Sequence, residues 1–228
     1  MSYTIRLDAR LSLAYDLYDP CELAADIGTD HAHLPAALLQ RGRCRRMILT
    51  DLSESALRNA RDEMIRCRLT DRAELRLGDG LAPLEETCGM ISVMGMGGRT
   101  VRNIIVSGQT RLQGASLLLS AHTDWHLIRS ALQEIGYCLD REEPCYCSGR
   151  YYLVIRARPG SVPLTEQEIR IGGPLFRSES PVLASFLRRR ADVLLERIRG
   201  LRSASSPDQA QIRLLSEDLQ VYETFLSR

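Results

Sequence analysis

Asp26 and Asp30 flank a glycine in the stretch Asp26-Ile-Gly-Thr-Asp-His31, directly after the apolar run Leu23-Ala-Ala25. Two further acids, Asp51 and Asp79, each close another strand-like run. A strand that ends in Asp-x-Gly and passes into a helix puts its loop at the carboxyl edge of a sheet, where open α/β folds bind ligands. A pyrophosphate asks for bare glycine amides at a helix N-terminus with no negative charge nearby. Four carboxylates around one crevice suit a cationic, hydroxyl-rich ligand without phosphate. S-adenosylmethionine, with a sulfonium, an amino group and a ribose diol, meets that description.

Each acid has its own expected task. Asp51 ends the second strand, where a carboxylate accepts hydrogen bonds from both hydroxyls of a ribose, a feature shared by nicotinamide and S-adenosylmethionine sites. Asp79 lies between Gly78 and Gly80, which let the backbone approach a ring closely, and it is placed to accept from an adenine exocyclic amine. A plain turn acid is the alternative for Asp79. His31 is expected at the amino-acid end of the ligand, while His33 reads as an ordinary partly buried side chain. The pairs His31/His33 and Cys145/Cys147 lack the spacings of structural zinc, so no metal is expected. Met90, Met94, Met96 and Trp125 read most simply as packing residues.

The elements that must position these groups alternate from Glu22 to about Gly160, the pattern of a mostly parallel sheet with helices on both faces. Strands are expected over 23–26, 47–51, 73–77, 90–94 and 115–120, the last a continuous apolar run of the kind buried on both faces. A helix is expected from Leu34, with Pro35 in its first turn, and another from a Ser53 N-cap to about Arg68. A further helix covers 125–135. Segments 137–144 and 151–158 stand too close for a crossover helix, so they form an antiparallel hairpin with 145–150 as its connection. Five parallel strands closed by a hairpin is the class I methyltransferase layout. Gly160-Ser-Val-Pro163 marks a boundary, giving a Rossmann-like domain over 1–160 and a helical domain over 161–228. In the second, Leu183, Leu187, Ala191, Leu194, Ile198 and Leu201 recur at helical spacing, as do Ile212, Leu215, Leu219, Tyr222 and Leu226 after the polar turn 203–208. Two such helices predict an antiparallel coiled-coil hairpin, with a pair of surface helices on the sheet as the alternative.

A chain of 228 residues buries a full α/β core with about sixty residues to spare. The stretch Met1 to Tyr15 carries Arg6, Asp8 and Arg10 and lacks the h-region of a secretory signal, and no later run reaches membrane-spanning length. A soluble, cytoplasmic protein, monomeric and away from membranes, is expected. Seven cysteines without a regular framework point to reduced thiols. Net charge is only +1, yet all 30 basic residues are arginine, and Arg188, Arg189, Arg190, Arg197, Arg199 and Arg202 cluster on one predicted helix against Asp192 and Glu196. Clustered guanidinium groups suit phosphate contact, although a solvated helix face or a codon bias accounts for them equally.

With these residues in view, the chain resembles the bacterial tRNA (adenine-22-N1)-methyltransferases from Leu7 to the C-terminus. The likeness is carried by Leu7-x-x-Arg10-Leu11, Asp26-Ile-Gly-Thr-Asp-His-Ala-His-Leu-Pro35, Gly78-Asp-Gly-Leu81, Gly95-Met-Gly-Gly98, Arg150-Tyr-Tyr152 and Gly173-Pro-Leu175. The resemblance implies methyl transfer from S-adenosylmethionine to N1 of adenine 22 in tRNA. It assigns the cofactor to Asp26, Gly28, Thr29, Asp30, His31, Asp51, Leu52, Asp79, Gly80 and Gly95 to Gly97, with Gly95, Met96 and Gly97 also at the catalytic centre. Arg10 and Arg99 would flank the target base or its phosphates. One departure is Ser120-Ala-His122 in place of the family's Gln-Pro-Asn, which makes His122 the candidate catalytic polar group.

Adenine N1 carries a lone pair, so positioning is expected to dominate catalysis. The base must be unstacked, with Tyr151 or Tyr152 stacking on it and backbone carbonyls of Gly95 to Gly97 orienting its amine. A methyltransferase redirected to another RNA site or small molecule, and a noncatalytic RNA-binding protein of the same fold, remain as alternatives. An acidic first loop disfavours a nicotinamide dehydrogenase.

Overall fold

A computed structural model of the protein describes residues 4–228. Helix α1 (Ala9–Asp16) opens the chain, capped by Asp8, whose carboxylate accepts from the Leu11 amide. Residues 1–3 of the expected first domain lie outside the described residues. The Rossmann-like layer then runs β1 (Cys21–Ile27), α2 (His33–Gln40), β2 (Cys44–Asp51), α3 (Glu54–Cys67), β3 (Ala73–Leu77), β4 (Met90–Met96), α4 (Gly98–Ser107), the single turn α5 (Gln109–Leu112), β5 (Ser116–Ala121) and α6 (Trp125–Glu134). The hairpin β6 (Tyr137–Cys147) and β7 (Arg150–Pro159) closes it. Strand order is β3-β2-β1-β4-β5-β7-β6, with β1 to β5 parallel and β7 antiparallel to both neighbours. The reversal of strand order between β1 and β4 opens the crevice at which such sheets take ligands.

Alternation along the strands divides the core in two. Ala25, Ile27, Leu117 and Leu119 face α4, α6 and the C-terminal helices. Ala24, Leu49 and Leu118 face α1, α2 and α3. Because both faces are covered, β5 is apolar throughout, as its sequence predicts. The expected Ser53 cap of α3 is present, its hydroxyl accepting from the Ala56 amide.

Two expected boundaries differ. Strand β4 continues to Met96, two residues past the expected end, because the Met96 carbonyl pairs with the His122 amide and Met96 pairs with Ala121 across a register shift at Gly95. The hairpin has no six-residue connection: its ladder runs to Cys147 opposite Arg150, and only Ser148 and Gly149 turn. Both take positive φ, 49° and 80°, which matches a two-residue turn to the right-handed twist of the strands.

Beyond the sheet come α7 (Glu166–Ile171), a 3₁₀ turn over Pro174–Arg177, α8 (Leu183–Arg202) and α9 (Gln209–Leu226). The sequence reading placed neither α7 nor the 3₁₀ turn. Thr165 and Glu168 form a reciprocal capping box at the start of α7. Helices α8 and α9 pair through the expected stripe, with Leu183, Leu187, Ala191, Leu194 and Ile198 buried against Ile212, Leu215, Leu219 and Tyr222. Phe186 joins that stripe and meets Trp125 and Tyr151, so the first turns of α8 also close over the sheet. A single apolar cluster therefore runs from β5 through Ile171 and Leu175 into α8 and α9. Buried Arg129 on α6 fastens this junction. It donates to Glu142 at 2.6 Å and to the carbonyls of Ile169 and Arg170, while the Leu175 amide donates to the other oxygen of Glu142. Among the described residues no helix is long and apolar enough to cross a membrane.

Candidate active site

The carboxyl ends of β1, β2, β3, β4 and β5 open into one cavity of about 1000 Å³. Asp26, Asp30, Asp51 and Asp79 all line it. Asp26 is the most enclosed: buried near the end of β1, it stands in register with Ser92 of β4, whose hydroxyl donates to it. Burial pushes its carboxyl up from 3.8 to about 6, against the opposing effect of the Ser92 hydrogen bond. A cation arriving beside Asp26 would favour its charged form.

Asp51 is held from two sides. The Asp30 amide donates to Oδ2 at 3.3 Å and the Ser53 amide to Oδ1 at 2.9 Å, so the carboxylate is fixed at the end of β2 with lone pairs left for a diol. The loop carrying Asp30 is tied down in turn by the Gly28 and Thr29 amides, which donate to the Thr50 carbonyl. Gly28, Asp30 and Ala32 have φ of 71°, 44° and 51°, a strained left-handed alternation of the kind that collects at ligand sites. At Gly28 the strain has a packing counterpart, because a Cβ would fall 2.0 Å from the terminal methyl of Met96. Met96 thus lies across the glycine turn and links the loops of β1 and β4. His31 is exposed at the rim, 3.7 Å from Asp30, with its ring stacked on His33. Leu52, an exposed leucine beside Asp51, and Gly80 line the same cavity as Asp79.

At the other end, Gly95, Met96, His122, Arg10 and Tyr152 converge from β4, β5, α1 and β7. The Arg10 guanidinium lies 5.3 Å from the Tyr152 ring centre, and the His122 ring meets Tyr152 edge-on at 6.0 Å. His122 Nε2 is 2.8 Å from the Gly95 carbonyl. Gly98, the first residue of α4, explains how the two loops approach: a Cβ there would fall 2.5 Å from the carbonyl oxygens of both Thr123 and Asp124.

Three expected residues stand apart from this cavity. Tyr151 points to the opposite face of β7 from Tyr152 and packs on Tyr146 and Phe186, because adjacent strand residues alternate. Of the two tyrosines expected to stack on the base, the structure therefore puts Tyr152 in the cavity and Tyr151, a candidate substrate-binding residue, outside it. Gly97 caps α4 without lining the cavity, and Arg99 is exposed on the first turn of that helix, also outside the lining. The expectation that the carbonyls of Gly95 to Gly97 orient a base amine also meets a competitor, since His122 occupies the first two and Val101 the third.

Sequence reasoning passed over Ser92, whose signal is a lone hydroxyl inside the apolar run Met90-Ile-Ser-Val-Met94. It also passed over Thr100, Asn103 and Ser107, a polar stripe at helical spacing along α4 that forms one wall. All seven cysteines are free, and burial pushes the thiols of Cys21, Cys88 and Cys145 up to about 11 and that of Cys44 up to about 12. Among the described residues no group of three or more His, Cys, Asp or Glu is placed to hold a metal.

Residues 7–155 match the family model described as a methyltransferase domain. Among curated proteins the chain is similar to the tRNA (adenine(22)-N(1))-methyltransferase of Bacillus subtilis, 27% identical over 158 residues. That match covers 68% of this chain and 66% of the relative, so just under two thirds of the relative's length is spanned. Among solved structures, Streptococcus pneumoniae Sp1610 in complex with S-adenosyl-L-methionine superposes with a TM-score of 0.84 at 25% identity, over 97% of this chain and 100% of that one. TrmK of M. capricolum, solved with S-adenosyl-homocysteine, shares the fold with a TM-score of 0.81 at 20% identity, over 97% and 98% of the two chains.

Proposed function

This chain belongs to the methyltransferase-domain family, and we propose that it transfers a methyl group from S-adenosylmethionine to N1 of adenine 22 in tRNA. The observation that carries the reading is the rim of four aspartates around a single cavity, with buried Asp26 at its centre. The donor supplies an electrophilic methyl group on a sulfonium. Asp26 and His31 would hold its amino-acid end, Asp51 its ribose and Asp79 its adenine amine, with Gly28, Thr29, Leu52, Gly80 and Gly95 shaping the walls. Arg10 and Tyr152 face the space left for a flipped base, where stacking and a guanidinium suit an adenine and its phosphate. Catalysis then consists of aligning N1 with the methyl carbon, an effect worth roughly 7–11 kcal/mol.

The arginines on the outer face of α8 support a nucleic-acid substrate. Arg188, Arg189, Arg197, Arg199 and Arg202 are exposed and form no ion pair among the described residues. The helical part, 161–228, would thus grip the tRNA while 1–160 carries out the chemistry. In this reading the enzyme is a monomer, and a tRNA substrate supports a cytoplasmic one.

The test is transfer of labelled methyl from the donor to unmodified tRNA, followed by mapping of the modified nucleotide. Methyl on N1 of adenine 22, abolished in tRNA with guanine at that position, is the expected result. Label elsewhere in the RNA, or only on protein or small molecules, refutes the substrate assignment.

A further inference from the structure

We infer that His122 reads the target base, its Nδ1 accepting a hydrogen bond from the 6-amino group of the adenine. The inference rests on the adenine-N1 reading proposed above. The end of β4 and the turn into α4 offer the carbonyls of Gly95, Met96 and Gly97, and each already has a donor. Gly95 accepts from His122 Nε2 at 2.8 Å, Met96 from the His122 amide at 2.9 Å, and Gly97 from the Val101 amide at 3.1 Å. A carbonyl oxygen only accepts, so the first of these contacts places the ring hydrogen on Nε2. In a neutral imidazole the other nitrogen then carries a lone pair. Nδ1 has no partner among the described residues, on a ring that lines the cavity beside Tyr152. Arg10, across Tyr152, presents donors only, and the nearby Asp124 carboxylate is engaged by the Thr123 hydroxyl.

Such an acceptor selects adenine chemically. Adenine presents an amino hydrogen next to the N1 lone pair, whereas guanine presents a carbonyl oxygen next to an N1–H and would set two lone pairs against each other. The bond also favours the reaction itself. As N1 takes the methyl group, positive charge spreads to the exocyclic nitrogen, its hydrogen becomes a stronger donor, and the contact tightens in the transition state. His122 is therefore a specificity-determining residue clamped in one tautomer by the loop it supports.

The experiment compares initial rates at saturating donor for wild type, His122→Ala and His122→Asn on two tRNAs. One carries adenine at position 22. The other carries purine, which keeps N1 but lacks the amino group. His122→Ala is expected to lose about tenfold more rate on adenine than on purine, since the lost bond to the Gly95 carbonyl is common to both tRNAs and only adenine has the amino group. His122→Asn, which restores an acceptor oxygen, recovers part of the adenine rate. Equal losses on both tRNAs overturn the inference while adenine-22 methylation stands. A wild type that binds donor yet leaves adenine 22 unmethylated overturns the functional reading and this inference with it. Spectra of ¹⁵N-histidine wild-type protein give a check that needs no variant: a His122 ring protonated on Nε2 is expected, and one protonated on Nδ1 instead overturns the inference.

Discussion

Lowering the pH should loosen the donor and, at the same time, strengthen the protein that is free of it. Asp26 is buried and its carboxyl lies at about 6 where an ordinary one lies at 3.8. A raised carboxyl means that the folded protein holds the proton more tightly than the unfolded chain, so the charged form costs stability above pH 6. The cost, about 3 kcal/mol at pH 7, is relieved as pH falls from about 6 to about 4. A cationic donor needs the charged form. Its affinity should therefore be nearly constant above pH 7 and about tenfold weaker at pH 5, where binding must first expel the proton. Calorimetric titrations at pH 5, 6 and 7, each in two buffers of different ionisation enthalpy, read the affinity and the proton count together. Close to one proton should be released at pH 5 and close to none at pH 7. Asp26→Asn, which keeps an acceptor for the Ser92 hydroxyl, should melt higher than wild type at pH 7 and bind donor weakly at every pH. A dissociation constant that stays flat from pH 5 to 7, or an Asp26→Asn variant less stable than wild type, refutes the reasoning.

Three further outcomes follow from the packing. Gly98→Ala forces a methyl against the Thr123 and Asp124 carbonyls, so thermal melts should show a loss of about 1–3 kcal/mol and transfer should fall as the loops of β4 and β5 are pushed apart. Removing either member of the buried Arg129–Glu142 pair leaves the other charge stranded under α7; denaturant unfolding of Arg129→Met or Glu142→Leu should show a loss of about 3–5 kcal/mol, and the double variant should regain much of it. Neighbouring tyrosines should separate by assay. Tyr152→Ala should lower kcat/KM for tRNA, whereas Tyr151→Ala should lower the melting temperature through its contacts with Tyr146 and Phe186 and spare kcat/KM.

The sheet was legible because its information is local. Two strand-like runs end in Asp26 and Asp51 and a third, alternating one stops just before Gly78-Asp79, and a strand's carboxyl end fixes where the next loop lies. The Ser53 cap and the α8 and α9 stripes are likewise short-range signals. What escaped depends on contacts between distant segments. Which of Tyr151 and Tyr152 faces the ligand is set by the register of β7 on β5, where a shift of one residue exchanges the faces. Arg129 and Glu142 look like two surface charges until the turn at Pro174 covers them. His122 was visible as a departure from a family pattern, yet its tautomer emerges only once the Gly95 carbonyl is seen in front of Nε2.

A crystal structure of the protein with S-adenosylmethionine tests the central claim most directly. The predicted complex has the ribose hydroxyls on Asp51, the amino group near Asp26, the adenine beside Asp79, and the methyl group directed toward His122 and Tyr152. A donor bound outside the aspartate rim, or a rim that takes a diphosphate dinucleotide and leaves the donor in solution, would contradict it.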